Sequence, residues 1–183
     1  MTTSTWKIVA AAALAGVLGV LASLRLDGRL VPARPSQPGT TVALAKVGDR
    51  LPDLVLPGLD GQPVQLRDRF ADRPLLINVW ASWCGPCVKE MPELAAFSRE
   101  QGAGGVQLIG LALDTPEAVR DFLKRVPVDY PIVLDTPGLA DASVRLGNDR
   151  GLLPYSVLVD ANGRIVRQKL GPFAPGEVAA WVK

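Results

Sequence analysis

The sequence predicts an α/β domain with a mixed central sheet flanked by helices, and three observations carry that reading. Two apolar runs, residues 75–81 and 106–113, have the length of buried strands and are separated by a helical stretch, the arrangement of a parallel pair joined by a crossover. Strand-like and helical segments continue to alternate beyond them. The chain then turns into an antiparallel hairpin, in which residues 155–159 and 165–169 flank Asp160-Ala161-Asn162-Gly163 and the Asn-Gly pair supplies the turn.

Taken in order, residues 8–24 carry no charge, and at about 1.5 Å per residue they make a helix of about 25 Å, the short end of a membrane span. Trp6, Lys7 and Arg25 suit its interfaces. An uncleaved anchor and a removed signal peptide, cut near Val20-Leu21-Ala22, both fit residues 1–30; the anchor is the expectation taken forward. Residues 31–45 contain Pro32, Pro35 and Pro38 without any periodic pattern and read as a semi-extended linker. The domain is expected over 46–183.

Within it, Leu54-Val55-Leu56 and Val64-Gln65-Leu66 flank Gly58-Leu59-Asp60-Gly61 as a short N-terminal hairpin. Residues 75–81 are apolar nearly throughout, so both faces of this central strand should be covered. A helix follows from Cys84 to about Gln101, with Val88, Met91, Leu94 and Ala95 on one side, and Pro92 inside it removes an amide donor and predicts a kink. Gly102-Ala103-Gly104-Gly105 ends that helix, and the second buried strand returns parallel to the first. Residues 116–126 read as helical, 130–134 as extended, 138–146 as helical, and 175–182 as a short closing helix.

Composition narrows the chemistry. A chain of 183 residues with 48% hydrophobic content buries one good core and is too short for two ordinary domains. The 20 basic and 18 acidic residues are dispersed along it, so no stripe for nucleic acid is expected. Histidine is absent, which removes Ser-His and Cys-His nucleophiles and most zinc sites. Any acid or base must be a carboxylate, lysine, tyrosine, thiol or water.

Against that background the only two cysteines stand together, as Trp83-Cys84-Gly85-Pro86-Cys87, where the apolar strand ends and a helix begins. A thiol is nucleophilic only as thiolate, and unpaired amides at a helix N-terminus stabilise that anion, so Cys84 should ionise more readily than a free thiol. The two-residue spacer lets Cys87 reach back and close a ring. Val88 follows where covalent haem attachment needs histidine. A zinc site would need two more ligands from carboxylates alone, so no metal is assigned.

These residues, with Pro92 eight positions after Cys84 and Leu153-Pro154 leading a late strand, resemble the thioredoxin fold. The N-terminal span, the first hairpin, the lead-in Asn78-Val79-Trp80-Ala81-Ser82-Trp83 and the insert around 116–134 are similar to the membrane-tethered TlpA and ResA type of thiol-disulfide oxidoreductase. The resemblance implies Cys84 as attacking thiol and Cys87 as resolving thiol, with no cofactor beyond their own redox-active disulfide. It implies Pro154 as a cis-proline facing the cysteines, leaving the Leu153 backbone to pair with an extended substrate peptide. Trp83 is expected as an apolar lid beside the substrate-facing Gly85-Pro86 turn.

The resemblance also draws attention to Glu90, three positions after Cys87 and on the same helical face. Two readings stand: it accepts the Cys87 proton, or it only complements the helix dipole. Asn78 departs from cytosolic thioredoxins, which carry a buried aspartate there, so proton transfer moves to Glu90 or to water. Gly85-Pro86 resembles the spacer of reductants. The implied clients are exported proteins with disulfides, such as apocytochrome c or copper-site proteins, and the implied electron donor is a DsbD- or CcdA-like membrane protein.

A tethered dithiol has its use in an oxidising compartment, so the expectation is an inner-membrane anchor with the domain facing the periplasm. The flanking charges point the other way, since Arg25, Arg29 and Arg34 follow the span while only Lys7 and the terminal amine precede it. A span at the extreme N-terminus acts as a signal anchor and overrides that count. Two other functions compete. Gly48-Asp49-Arg50-Leu51-Pro52-Asp53-Leu54 resembles the opening of peroxiredoxins, but Ala81 stands where their threonine precedes the peroxidatic cysteine. A copper(I) carrier would use the soft thiolates, but Ser82 stands where the small metallochaperones have methionine, and the histidine of copper-assembly thioredoxin relatives is absent.

Overall fold

The computed structural model describes residues 42–183 apart from 70, 71 and 103; the candidate anchor at 8–24 and most of the linker lie outside the described residues. Val55–Pro57 (β1) pairs antiparallel with Pro63–Gln65 (β2). Five further strands make one sheet, in the order Ile132–Asp135 (β5), Gln107–Leu113 (β4), Leu75–Trp80 (β3), Tyr155–Val159 (β6) and Ile165–Leu170 (β7). β3 runs parallel to β4, and β4 to β5, while β6 is antiparallel to both β3 and β7. The expected mixed sheet is therefore present, with the wholly buried β3 at its centre.

Alternation along β3 builds two cores, because successive side chains leave a strand on opposite faces. Leu75, Ile77 and Val79 join Leu51, Leu54, Leu66, Ile109, Val157 and Ile165 on one side. Leu76 and Trp80 join Met91, Leu94, Phe97, Phe122, Phe173 and both cysteines on the other. Midway along β3, Asn78 pairs in register with Gly110 of β4 and Ser156 of β6. Gly110 has no room for a side chain, since a Cβ there would lie 2.5 Å from Ile132 Cδ1 and 2.9 Å from Trp80 Nε1.

The helices keep close to the sequence expectations, with differences at their ends. Leu66–Arg69 (α1) begins where the first hairpin is expected to continue, because the Leu66 amide donates to Leu54 O at 3.0 Å and its buried side chain then enters the core. Gly85–Glu100 (α2) runs through Pro92, which lies exposed on its outer side. Pro116–Leu123 (α3) is capped by Thr115, whose Oγ1 accepts the Ala118 amide at 3.2 Å. The helix expected over 138–146 shrinks to Ala142–Arg145 (α4): Asp141 caps it by accepting the Val144 amide at 3.1 Å and also takes the Gly138 amide into the preceding loop at 3.0 Å. Glu177–Trp181 (α5) closes the chain.

At the late hairpin, the Asp160 carboxylate accepts the amides of Asn162 and Arg164, and Gly163 takes the positive φ of 76° that the Asn-Gly pair foretold. The domain is anchored by Ala45, one residue before its expected start, since Ala45 donates to Arg145 O and accepts from Gln168 Nε2.

Candidate active site

Strand directions bring the candidate residues to one edge of the sheet. β3 and β4 end there in parallel and β6 begins there, with Val79 opposite Tyr155 and Trp80 opposite Ala112. The turn carrying Ser82, Trp83 and Cys84 therefore stands beside Leu153 and Pro154. The Leu153-Pro154 peptide is cis, as the resemblance implied. Pro154 is buried, its carbonyl accepts the Gly171 amide at 2.9 Å, and the half-buried Leu153 packs against the same core as the two cysteines.

Cys84 and Cys87 are joined as a disulfide with a Cα–Cα separation of 5.3 Å. Cys84 is the N-cap of α2: its backbone is extended, with φ −84° and ψ 96°, and its Sγ accepts the Cys87 amide at 3.3 Å. Pro86 in the first turn costs nothing there, because its missing N–H falls among amides that have no helical partner anyway. Gly85 and Pro86 are exposed and flank the sulfurs on the solvent side. Cys84 keeps 5% of its surface in solvent and Cys87 none, so the leading cysteine is the less buried of the two.

Trp83, expected as an apolar lid, is 68% exposed on the turn that carries Cys84.

Behind the disulfide, Glu90 is 4% exposed in the second turn of α2. Its Oε1 accepts Asn78 Nδ2 at 2.9 Å and its Oε2 accepts the Phe173 amide at 2.7 Å. Asn78 Nδ2 also reaches Ser156 Oγ at 3.2 Å. Burial pushes the Glu90 carboxyl above the usual carboxylate range; the Phe173 amide, the Asn78 amide and the charge of Lys169 pull against that rise, and Glu93 adds to it. A carboxylate that served only the helix dipole would gain most by staying in water, so the dipole alone does not account for this burial.

Several contributors escape a sequence reading. Phe173 acts through its backbone amide, which no side-chain pattern announces. Ser156 is visible only once the register places it opposite Asn78. Lys169, paired with Glu177 at 3.0 Å and set 5.5 Å above the Phe173 ring, sits opposite Ser156 on β7. Asp114, which receives both the amide and the hydroxyl of Ser82, has one signal: an acidic residue directly after an apolar strand that ends beside the cysteines.

Comparison with known proteins agrees with this geometry. The Redoxin family model matches residues 46–181. The chain is 32% identical over 129 residues to the thiol-disulfide oxidoreductase ResA of Bacillus cereus, covering 69% of this chain and 70% of that protein. It is 30% identical over 125 residues to ResA of Bacillus subtilis, covering 68% and 67%. Among solved structures, a thioredoxin-related protein from Neisseria meningitidis serogroup B superposes with a TM-score of 0.61 at 34% identity, over 69% of this chain and 95% of that one. StoA from Bacillus subtilis, at 24% identity, shares the fold with a TM-score of 0.57 over 73% and 98%. A family match across nearly the whole α/β domain, and relatives at this identity that exchange thiols for disulfides, meet at the paired sulfurs: the chain belongs to the Redoxin family, and its chemistry is thiol-disulfide interchange.

Proposed function

We propose that the domain reduces disulfides in exported client proteins, with Cys84 attacking and Cys87 resolving. One observation carries this assignment: the less buried cysteine is also the one whose sulfur receives a helix N-terminal amide, at 3.3 Å. Once the pair is reduced, that amide stabilises a Cys84 thiolate, the form that attacks. The thiolate displaces one sulfur of the client disulfide, forming a Cys84–client mixed disulfide and releasing one client thiolate. Cys87, deprotonated, then attacks Cys84 Sγ, restores the Cys84–Cys87 disulfide and releases the second client thiolate. Two electrons have passed to the client, and a donor must return them.

Glu90 lies one helical turn beyond Cys87 and is the base that takes its proton in the second step. The cis Leu153-Pro154 peptide, with Trp83, Gly85 and Pro86, forms the surface on which an extended client segment lies. The resemblance to ResA-type proteins supports apocytochrome c or copper-site proteins as clients and a DsbD- or CcdA-like membrane protein as donor. Residues 8–24 tether the domain to the inner membrane with its disulfide on the periplasmic side.

Cys87→Ala leaves the first step intact and blocks the second, so mixed disulfides with clients should accumulate and be recoverable by non-reducing electrophoresis. Their absence, with Cys84 reduced and disulfide clients present, would refute the order of attack. For the tether, alkaline phosphatase fused after Lys183 should be active in cells; an inactive but intact fusion places the domain in the cytoplasm.

A further inference from the structure

The turn that presents Cys84 is held from outside its own strand. Trp80 pairs with Ala112, and two residues further along each chain the strands meet again through side chains. Asp114 Oδ2 accepts the Ser82 amide at 3.1 Å and the Ser82 hydroxyl at 2.6 Å. Its Oδ1 takes the Thr115 amide at 2.8 Å. Hydrogen bonds to an ionised acceptor are the strong ones, and here three donors converge on a single carboxylate. Thr115 in turn caps α3, so the acceptor is braced by a helix.

On the other side of Ser82, the Cys84 amide donates to Ala81 O at 3.1 Å and closes the turn. Trp83, between these two anchored points, is 68% exposed. Cys84 itself needs its extended φ and ψ if its sulfur is to receive the Cys87 amide. The conformation of residues 81–84 thus decides where that sulfur points, and Ser82 is the residue of the turn that a charged group grips.

We infer that Asp114 is a positioning residue for the exchange reaction: by gripping Ser82 it fixes the turn that aims the Cys84 sulfur, and sets Trp83 beside it, toward an incoming disulfide. The inference rests on Cys84 being the attacking thiol. Displacement at a disulfide needs the attacking sulfur aligned with the bond it breaks, and misplacement by about 1 Å can cost about a hundredfold in rate. Alkylation by a small freely tumbling reagent makes a much weaker demand on direction.

The test separates the two demands in the full chain. Asp114→Ala should slow attack of reduced Cys84 on a protein disulfide by about tenfold, while its alkylation by iodoacetamide changes by less than about twofold. Asp114→Asn keeps an oxygen to accept from Ser82 and should recover to within about threefold of wild type. Ser82→Ala removes only the hydroxyl contact and should slow attack by about threefold, which keeps the proposal testable if Asp114→Ala does not fold. Wild-type attack in Asp114→Ala, equal loss of attack and alkylation, or an Asn variant as slow as the Ala variant each overturn the clamp. Cys84→Ser is the separate control. Attack that survives in it refutes the reading of the site, whereas attack lost there but unchanged in Asp114→Ala refutes the role of Asp114 alone.

Discussion

Replacing Glu90 by glutamine is expected to slow release of the client from its mixed disulfide by about a hundredfold while leaving formation of that mixed disulfide unchanged. The split follows from position. In the proposed order Cys84 needs no base for the first step, since once the pair is reduced the Cys87 amide would stabilise its thiolate. Cys87 is fully buried and must lose its proton for the second. A base works only when ionised, and burial holds the Glu90 carboxyl above the ordinary carboxylate range. Release by the wild-type chain should therefore accelerate as pH rises through the Glu90 value, and the glutamine variant should lack that limb. Rapid-quench measurement of each step across pH 4 to 8, on the order of the span where raised carboxyls titrate, makes the comparison. Superimposable release profiles would remove Glu90 from the reaction.

Stability supplies an independent check with a defined sign. The protonated Glu90 is the form the folded state favours, because its folded value lies above that of an unfolded glutamate near about 4.3. Its contribution is complete below the unfolded value and is lost as pH rises through the folded one. Wild-type stability measured against Glu90→Gln should therefore decline with rising pH over that window. Glutamine also has one acceptor oxygen facing two donors, Asn78 Nδ2 and the Phe173 amide, so a pH-independent cost of about 1–3 kcal/mol is expected beneath the trend.

How much of this is legible in the sequence depends on whether the physics is local. The strand at 75–80 can be read because both its faces are apolar, and the dithiol because spacer, strand end and helix start lie close together along the chain. The Asn-Gly turn announces itself through the one residue that tolerates its φ. The helix expected over 138–146 is shorter than its apolar spacing suggests because spacing says nothing about caps, and Asp141 starts the helix later. The exposure of Trp83 is not legible because an indole beside a strand end suggests packing, and spacing along the chain does not say whether other segments arrive to cover it. Glu90 stays undecided in sequence because its two possible settings, water or core, differ only by what lies across the helix. Asn78, Ser156 and the Phe173 amide settle that, and they come from separate stretches of the chain, the last of them 83 residues away from Glu90.

Asn78 is also where the second large effect is expected. Asn78→Asp sets a carboxyl where Nδ2 now donates to Glu90 Oε1 at 2.9 Å, so two buried carboxylates would face each other. Like charges at that distance do not both ionise, and the pair should hold one proton between them at neutral pH. A loss of roughly 2–4 kcal/mol is expected near pH 8, because the folded pair must either take up a proton from a solution poor in protons or hold two facing charges in the core. The sign again follows from linkage: the pair binds its proton more tightly than the separate unfolded side chains, so the deficit should shrink as pH falls through the pair's upper folded value. Urea unfolding of wild type and variant at about pH 8 and about pH 5, on either side of the range where such pairs titrate, measures it. An equal deficit at both would mean that Asn78 and Glu90 do not share the contact. The same proton sharing would push the ionisation of the base upward, so the release step should need a more alkaline solution than in wild type. In this chain the buried carboxylate behind the dithiol sits on the helix, and the amide at 78 on the strand meets it with a donor instead of a second negative charge.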